Sequence, residues 1–178
     1  MIHTLSRALL ALLLAACAAG PRDITLSEAE LQALIERHVA REHRVAELID
    51  LKLEQPRIRL LPERNRIASA LDITALERIS GRTLRGSLSA EHTLRYEPAD
   101  TTLRIAQLRV QDFKLDLGAG ALTGTAARLS AVFVERALED AVVWRASESQ
   151  REALSRAGVQ RATIQVTSRG VEVKFFSP

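Results

Sequence analysis

The chain has 178 residues, enough for one domain with a sizeable core. Its 25 basic and 22 acidic residues give a formal net charge of +3, and 22 of the basic residues are arginines spread along the chain. They form no basic block and are not interleaved with aromatic residues, which excludes a typical nucleic-acid-binding protein. A single cysteine excludes a fold held together by disulfides.

A short apolar run opens the chain after a positive start. Arg7 precedes an uninterrupted apolar stretch from Ala8 to Ala16, far shorter than the ~20 residues that span a bilayer as a helix. This length is typical of the hydrophobic region of a secretory signal. Leu14-Ala15-Ala16-Cys17 resembles the lipobox of bacterial lipoproteins, in which the cysteine is acylated and the signal is cut just before it.

The resemblance implies a diacylglycerol on the Cys17 thiol and a third acyl chain on the new amino terminus. Three acyl chains exceed the two signals that stable anchoring requires, so Cys17 is expected to anchor the protein to a membrane. Ala18 stands where, in enteric-type bacteria, an aspartate favours retention in the inner membrane, so we expect an outer-membrane anchor and a periplasm-facing domain. Ala16-Cys17-Ala18 and Ala18-Ala19-Gly20 also suit ordinary signal peptidase, and an uncut anchor is a further alternative. Export also argues against nucleic acid as a partner.

The first predicted elements are a helix and two interrupted strands. Ser27-Glu-Ala-Glu30 matches a capping box, and apolar residues at helical spacing then predict a helix from about Ser27 to Glu42. Alternating apolar and polar residues predict strand structure from Ile49 to Leu60, with a break at Pro56, and from Asn65 to Thr74.

Two long strands follow. The segment Thr83–Tyr96 alternates throughout, and Gly86 makes a gap in its apolar face. After a turn, Thr101–Leu117 is predicted to return as a second strand. Its apolar parity changes after Ile105 and again after Val110, which predicts two bulges. One face is apolar and the other polar, so we expect an antiparallel meander with its apolar face covered.

The predicted cover is a long helix from Ala126 to about Ser147. A second helical stretch, Ser149–Ala157, and a closing hairpin of Val159–Val166 and Val171–Phe176 complete the chain. The predicted fold class is α+β, with a long curved antiparallel β-sheet wrapped around a long α-helix in a single domain. The predicted organisation is a signal peptide at 1–16, a lipidated tether at 17–24 and this domain at 25–178.

No segment has the pattern of a catalytic or metal site. The glycines of 118–124 lie between a strand and a helix, but no parallel βαβ unit surrounds them, which favours a flexible connection over phosphate binding. His38 and His43 would point in different directions on a helix, and His92 stands alone on a strand, so structural roles are favoured over metal binding. We therefore expect no enzyme activity, no metal and no cofactor.

Four segments together look like the YceB-like bacterial lipoproteins: the lipobox, ITLSEAELQALIERHV, LKLEQPRIRLLPERNRIASALDI and LRYEPADTTLRIAQLRVQDFKL. That family's fold is similar to one half of the tubular lipid-binding superfamily, a long curved sheet rolled about a helix. The resemblance implies a lipid or other apolar ligand, and it supplies no catalytic residues.

If the sheet curls about the long helix, a ligand would contact the inner faces of paired strands and the facing side of the helix. Gly86 interrupts this inner face, so we expect a channel to pass over it. Tyr96 and Trp144 have amphipathic rings that could border a ligand mouth, with core packing as the alternative. The expected ligand-binding residues are Leu84, Gly86, Leu88, Leu94, Tyr96, Leu103, Ile105, Phe133 and Trp144.

Two functions fit these expectations. The first is an outer-membrane-anchored periplasmic lipoprotein that binds an apolar ligand such as a lipid. The second is a non-enzymatic scaffold or assembly partner for envelope proteins, with a closed core. An apolar cavity of a few hundred Å³ would favour the first, and a filled core the second.

Overall fold

The computed structural model describes residues 23–38, 42–45, 49–79, 81–116 and 125–177. The predicted signal peptide and Cys17 lie outside the described residues. The strands are β1 (Ile24–Ser27), β2 (Glu42–Val45), β3 (Ile49–Leu61), β4 (Arg66–Glu77), β5 (Thr83–Glu97), β6 (Thr102–Asp116), β7 (Val142–Arg145), β8 (Arg161–Thr167) and β9 (Gly170–Phe176). The helices are α1 (Glu28–His38), α2 (Thr125–Leu138) and α3 (Glu148–Arg156).

Two antiparallel sheets account for most of the described chain. The larger has the order β2-β3-β4-β5-β6-β7 and curls into a half-barrel, and the smaller has the order β1-β9-β8. The two long strands and the closing hairpin predicted from the sequence are confirmed. Ile24, placed in the tether by the sequence pattern, pairs with Val173 as the start of β1.

The predicted bulges in β6 are also confirmed. The pairing of β5 with β6 shifts register between Ser89 and Ala90 and again between Glu91 and Thr93. Gln107 has a positive φ of 51° at one of these shifts. In β3 the register shifts around Pro56, so the proline lies in a bulge and does not end the strand.

The predicted fold class is wrong: the described residues are mostly strands in two sheets, and none of them forms a long helix within the half-barrel. Helix α2 ends at Leu138, and Asp140 reverses the chain with a φ of 69°. The branched and aromatic residues of β7 then pair with β6 instead of continuing the helix. Ser147 and Gln150 form a capping box that starts α3 as a separate helix.

The first predicted helix starts where its capping box indicates. The Ser27 N–H donates to the Glu30 carboxylate at 2.8 Å, and the Glu30 N–H donates to the Ser27 hydroxyl at 3.3 Å. Its predicted end is wrong, because Glu42 belongs to strand β2. None of the helices in the described part of the chain is long and apolar enough to cross a membrane.

Helix α1 and the small sheet occupy the position that the sequence assigned to the long helix. Strand β2 pairs only with the first part of β3, so further along β3 is the edge of the large sheet. Helix α1 packs against this part of β3 and against β7 at the other edge. Its Leu31 and Ile35 are buried in one hydrophobic cluster with residues of both sheets.

Polar side chains of α1, of α2 and of Glu139 just after α2 satisfy main-chain groups of β3 and β6. On β3, the Gln32 side-chain amide donates to the Pro56 carbonyl, and its oxygen accepts from the Ile58 N–H at 3.0 Å. On β6, the Glu139 carboxylate accepts from the N–H groups of Gln107 and Leu108, both at 2.9 Å. The Glu135 carboxylate accepts from the Val110 N–H at 2.8 Å.

Candidate functional site at the open end of the half-barrel

Five of the predicted ligand-binding residues lie together at one end of the half-barrel, next to the β5–β6 turn. We call this part the closed end. Leu94 pairs with Ile105, Tyr96 pairs with Leu103, and Leu103 also pairs with Trp144. All five are buried, with at most 9% of any one exposed, and they belong to a single hydrophobic cluster. Trp144 lies on strand β7, not on the helix predicted for it.

The remaining strand residues lie towards the other end, next to the β4–β5 turn. Leu88 is 1% exposed and pairs with Phe113, whereas Gly86 pairs with Leu115. Directly opposed residues share a face, so Phe113 and Leu115 point to the same side as Leu88. Leu84 extends this inner face by alternation.

Apolar side chains on this inner face are less buried than those at the closed end. Leu84, Val110, Phe113 and Leu115 are all half-buried, and we call the part of β5 and β6 that carries them the open end. Val110, Phe113 and Leu115 were not among the expected ligand-binding residues. Their signal is present in the parity changes of β6, because each bulge moves the following apolar residues back to the inner face.

Gly86 is placed by contact between main chains. A Cβ at this position would lie 2.0 Å from the carbonyl oxygen of Lys114 and 3.0 Å from the Cα of Leu115. The missing side chain therefore makes room for the main chain of β6 and not for a ligand. This corrects the expectation of a channel that passes over Gly86.

Helix α2 lies against β6 beside the open end. Val134 and Leu138 are 7% and 4% exposed, and Val132 is 48% exposed. The side chain of Phe133, the remaining predicted ligand-binding residue, lies outside the described part of the structure. The surfaces available next to the open end are thus apolar on the strands and partly apolar on the helix.

His92 is a titratable residue whose side chain faces the interior of the half-barrel. His92 is 1% exposed, and its Nε2 lies 3.0 Å from the Ser69 hydroxyl. Its Nδ1 lies 3.3 Å from the carbonyl oxygen of Thr93. Burial lowers the pKa of His92 to about 4, so the imidazole is neutral at neutral pH. Ser69 and His92 are both buried, and each satisfies a polar group of the other.

Tyr96 contributes an aromatic contact at the closed end. Its ring meets that of Phe175 edge to face, with centroids 5.2 Å apart. Its hydroxyl is buried without a hydrogen-bond partner among the described residues, and burial raises its pKa. This places Tyr96 in the packed core, the alternative left open by its sequence.

The described residues supply apolar contact surface and no reactive group at the open end. Among them, no set of three or more His, Cys, Asp or Glu side chains is arranged to hold a metal ion. The free energy falls when a ligand covers half-buried apolar side chains and removes them from water. Among ligand classes, an apolar ligand is therefore the one that suits the surface of the open end.

No protein-family model matches the sequence, and no curated protein matches it.

Proposed function

We propose that this chain is a non-enzymatic lipoprotein of the bacterial envelope that binds an apolar ligand, such as a lipid acyl chain, at the open end of its half-barrel. The observation that supports the proposal is the difference in burial along one inner face. At the closed end Leu103 and Ile105 are 0% and 3% exposed, whereas Phe113 and Leu115 on the same strand remain half-buried.

The proposed ligand surface is large enough in free-energy terms to hold an acyl chain. Burying about ten methylene groups contributes up to ~8 kcal/mol before the entropy of binding is subtracted. Partial coverage by the half-buried side chains of the open end would leave a fraction of this, which is still compatible with a lipid that is exchanged and not permanently held.

A fluorescent fatty-acid probe tests the proposal on residues 18–178. Leu115→Glu places a charge on the inner face of the open end, and we expect it to weaken probe binding about tenfold or more, since an ionised carboxylate opposes apolar contact. Lys114→Glu is the matched control. Lys114 is the exposed neighbour of Leu115 on β6, and its side chain lies on the opposite face of the sheet. The control should bind the probe as the wild type does.

Two results would contradict the proposed function. One is a wild-type domain that binds no apolar probe and carries no lipid, by mass spectrometry, after gentle purification. The other is equal loss of binding in both variants, which would place the probe elsewhere on the surface. Circular dichroism of each variant separates loss of binding from loss of folding.

The scaffold function remains the second candidate, and the filled closed end favours it. Side chains of both sheets and of α1 pack there into one buried cluster, so an acyl chain has no space between them without displacing core residues. If the open end binds no apolar ligand, the better-supported function is recognition of an envelope protein through the surface of the domain.

A further inference from the structure

Strand β8 is the outer strand of the small sheet, and only part of its free edge is satisfied in the described structure. Asn65, which lies between β3 and β4 with a φ of 51°, covers the later part. Its side-chain oxygen accepts from the Val166 N–H at 2.6 Å, and its amide donates to the Ile164 carbonyl at 3.2 Å. The Asn65 side chain therefore takes the place of a neighbouring strand.

These two bonds fix the direction of the main-chain groups along β8. The Ile164 carbonyl and the Val166 N–H point away from β9. The main-chain groups of every second residue in a strand point to the same side, so those of Ala162 also point away from β9. Within the described residues, no side chain hydrogen bonds to the main chain of Ala162 or to the Ile164 N–H.

A groove of about 440 Å³ runs beside this uncovered stretch. Its volume is within the range of about 300–1,000 Å³ that is usual for ligand sites. The uncovered part of β8 forms one wall, and β5 and β6 form the other. Its lining includes Arg161, Ala162 and Ile164 on the first wall and Thr93, Arg95 and Gln107 on the second.

The charges at the groove favour an acidic occupant. Arg95 is already paired with Glu97 at 2.7 Å and with Asp140 at 2.5 Å. Arg161 is exposed at the start of β8, and its side chain has no ion-pair or hydrogen-bond partner among the described residues. A second copy of the chain would bring another Arg161 to this edge, whereas an acidic side chain would complement it.

We infer that the stretch of β8 from Arg161 to Ile164 is a docking edge for an extended segment of a partner protein that carries an acidic side chain. The segment adds as a strand: it accepts from the N–H groups of Ala162 and Ile164, donates to the Ala162 carbonyl, and places its carboxylate at Arg161. This site is separate from the open end and does not depend on the proposed function.

The test uses the full chain and a short fluorescein-labelled peptide that alternates valine with threonine and carries one aspartate. Ala162→Pro removes an edge N–H without breaking a bond to β9, and a proline is tolerated at such an edge. We expect it to weaken peptide binding roughly tenfold, the value of one to two hydrogen bonds. Thr163→Ala is the control, because Thr163 is exposed and its main chain faces β9.

Charge reversal tests the recognition of the acidic side chain. Arg161→Glu should lose the aspartate peptide and gain the same peptide with lysine in place of aspartate. Amide hydrogen exchange of the wild type gives a second measurement that needs no variant. The N–H groups of Ala162 and Ile164 should exchange fast in the free protein and slow down when the aspartate peptide is added.

Three results would overturn the inference. The first is no binding and no exchange protection with the aspartate peptide. The second is unchanged affinity in a folded Ala162→Pro variant. The third is a concentration-dependent dimer of the wild type that Ala162→Pro dissociates, since that would assign the edge to a second copy of this chain.

Discussion

His92 is a residue whose burial sets its charge and makes stability depend on pH. Its pKa is lowered from 6.5 to about 4 in the folded protein, chiefly by desolvation. The unfolded chain therefore binds more protons than the folded one between these two pKa values. The free energy of unfolding should be fully retained above pH 6.5 and should fall as the pH drops from 6.5 towards 4, by about 3 kcal/mol in all.

Urea unfolding of the wild type and of His92→Leu, at a series of pH values from about 7 to 5, checks this prediction. The variant should lose the slope in this range, whatever its absolute stability. Carboxylates such as Glu97 and Asp100, whose pKa values are lowered by their hydrogen bonds, titrate below this range and leave the comparison clean. Equal slopes in the two proteins would contradict the role given to His92.

Gly86 is a residue whose lack of a side chain is required by its neighbour strand. Gly86→Ala would bring a methyl group to within 2.0 Å of the Lys114 carbonyl oxygen, so β5 and β6 would have to separate locally. We expect a loss of at least about 2 kcal/mol in the free energy of unfolding, towards the upper part of the range for overpacked positions. Thermal and urea unfolding measure it, with Ser87→Ala as the neighbouring control. A variant as stable as the wild type would show that the main chains can move apart freely.

At the scale of elements, helix side chains serve as partners for strand edges. Glu139→Ala would leave the N–H groups of Gln107 and Leu108 without their acceptor. We expect a loss of about 1–2 kcal/mol in stability and faster amide exchange at these two residues. Arg136→Ala, in the last turn of α2 just before Glu139, is the control, because Arg136 is exposed. Equal exchange in both variants would mean that water replaces the carboxylate without loss.

The strands could be predicted from the sequence because one face is buried and the other is wet, which leaves a period of two in the residues. The parity changes of β6 even located its bulges. The contents of the half-barrel could not be predicted in the same way. Apolar residues at helical spacing continue from α2 into β7, and nothing in their period reveals that Asp140 reverses the chain. The capping box at Ser147 was a local signal for the break.

The candidate site was predicted in part for the same physical reason. Leu84 was found by alternation along β5, whereas Phe113 and Leu115 reach the inner face only when the parity of β6 is followed through both bulges. Tyr96 and Trp144 have side chains that suit either a ligand mouth or a core. Only the pairing of their strands decides between these two roles, and both residues lie in the core.

At the scale of the whole molecule, the C-terminal hairpin is part of the core. Val171 and Val173 of β9 are 0% exposed, and β1 pairs with β9 alone in its sheet. Deleting residues 159–178 should therefore expose the inner face of the half-barrel and the edge of β1, and the product should aggregate. Size-exclusion chromatography and thermal unfolding check this. A truncated protein that stays monomeric and melts cooperatively would contradict it.

The position of β1 has a consequence for the direction in which the molecule works. Ile24 pairs with Val173, which pairs in turn with Ile164, and Asn65 bonds to Ile164 at the turn between β3 and β4. From this turn, β4 runs as a continuous strand from Arg66 to Glu77 to the opposite end, a rise of roughly 35 Å at ~3.3 Å per residue. If Cys17 carries the proposed acyl anchor, a bilayer would hold the chain on the side where β1 begins, and the open end would lie near the opposite pole. The open end would then face away from the membrane leaflet that holds the anchor. A ligand would be exchanged with a partner on the far side of the periplasm and not with that leaflet.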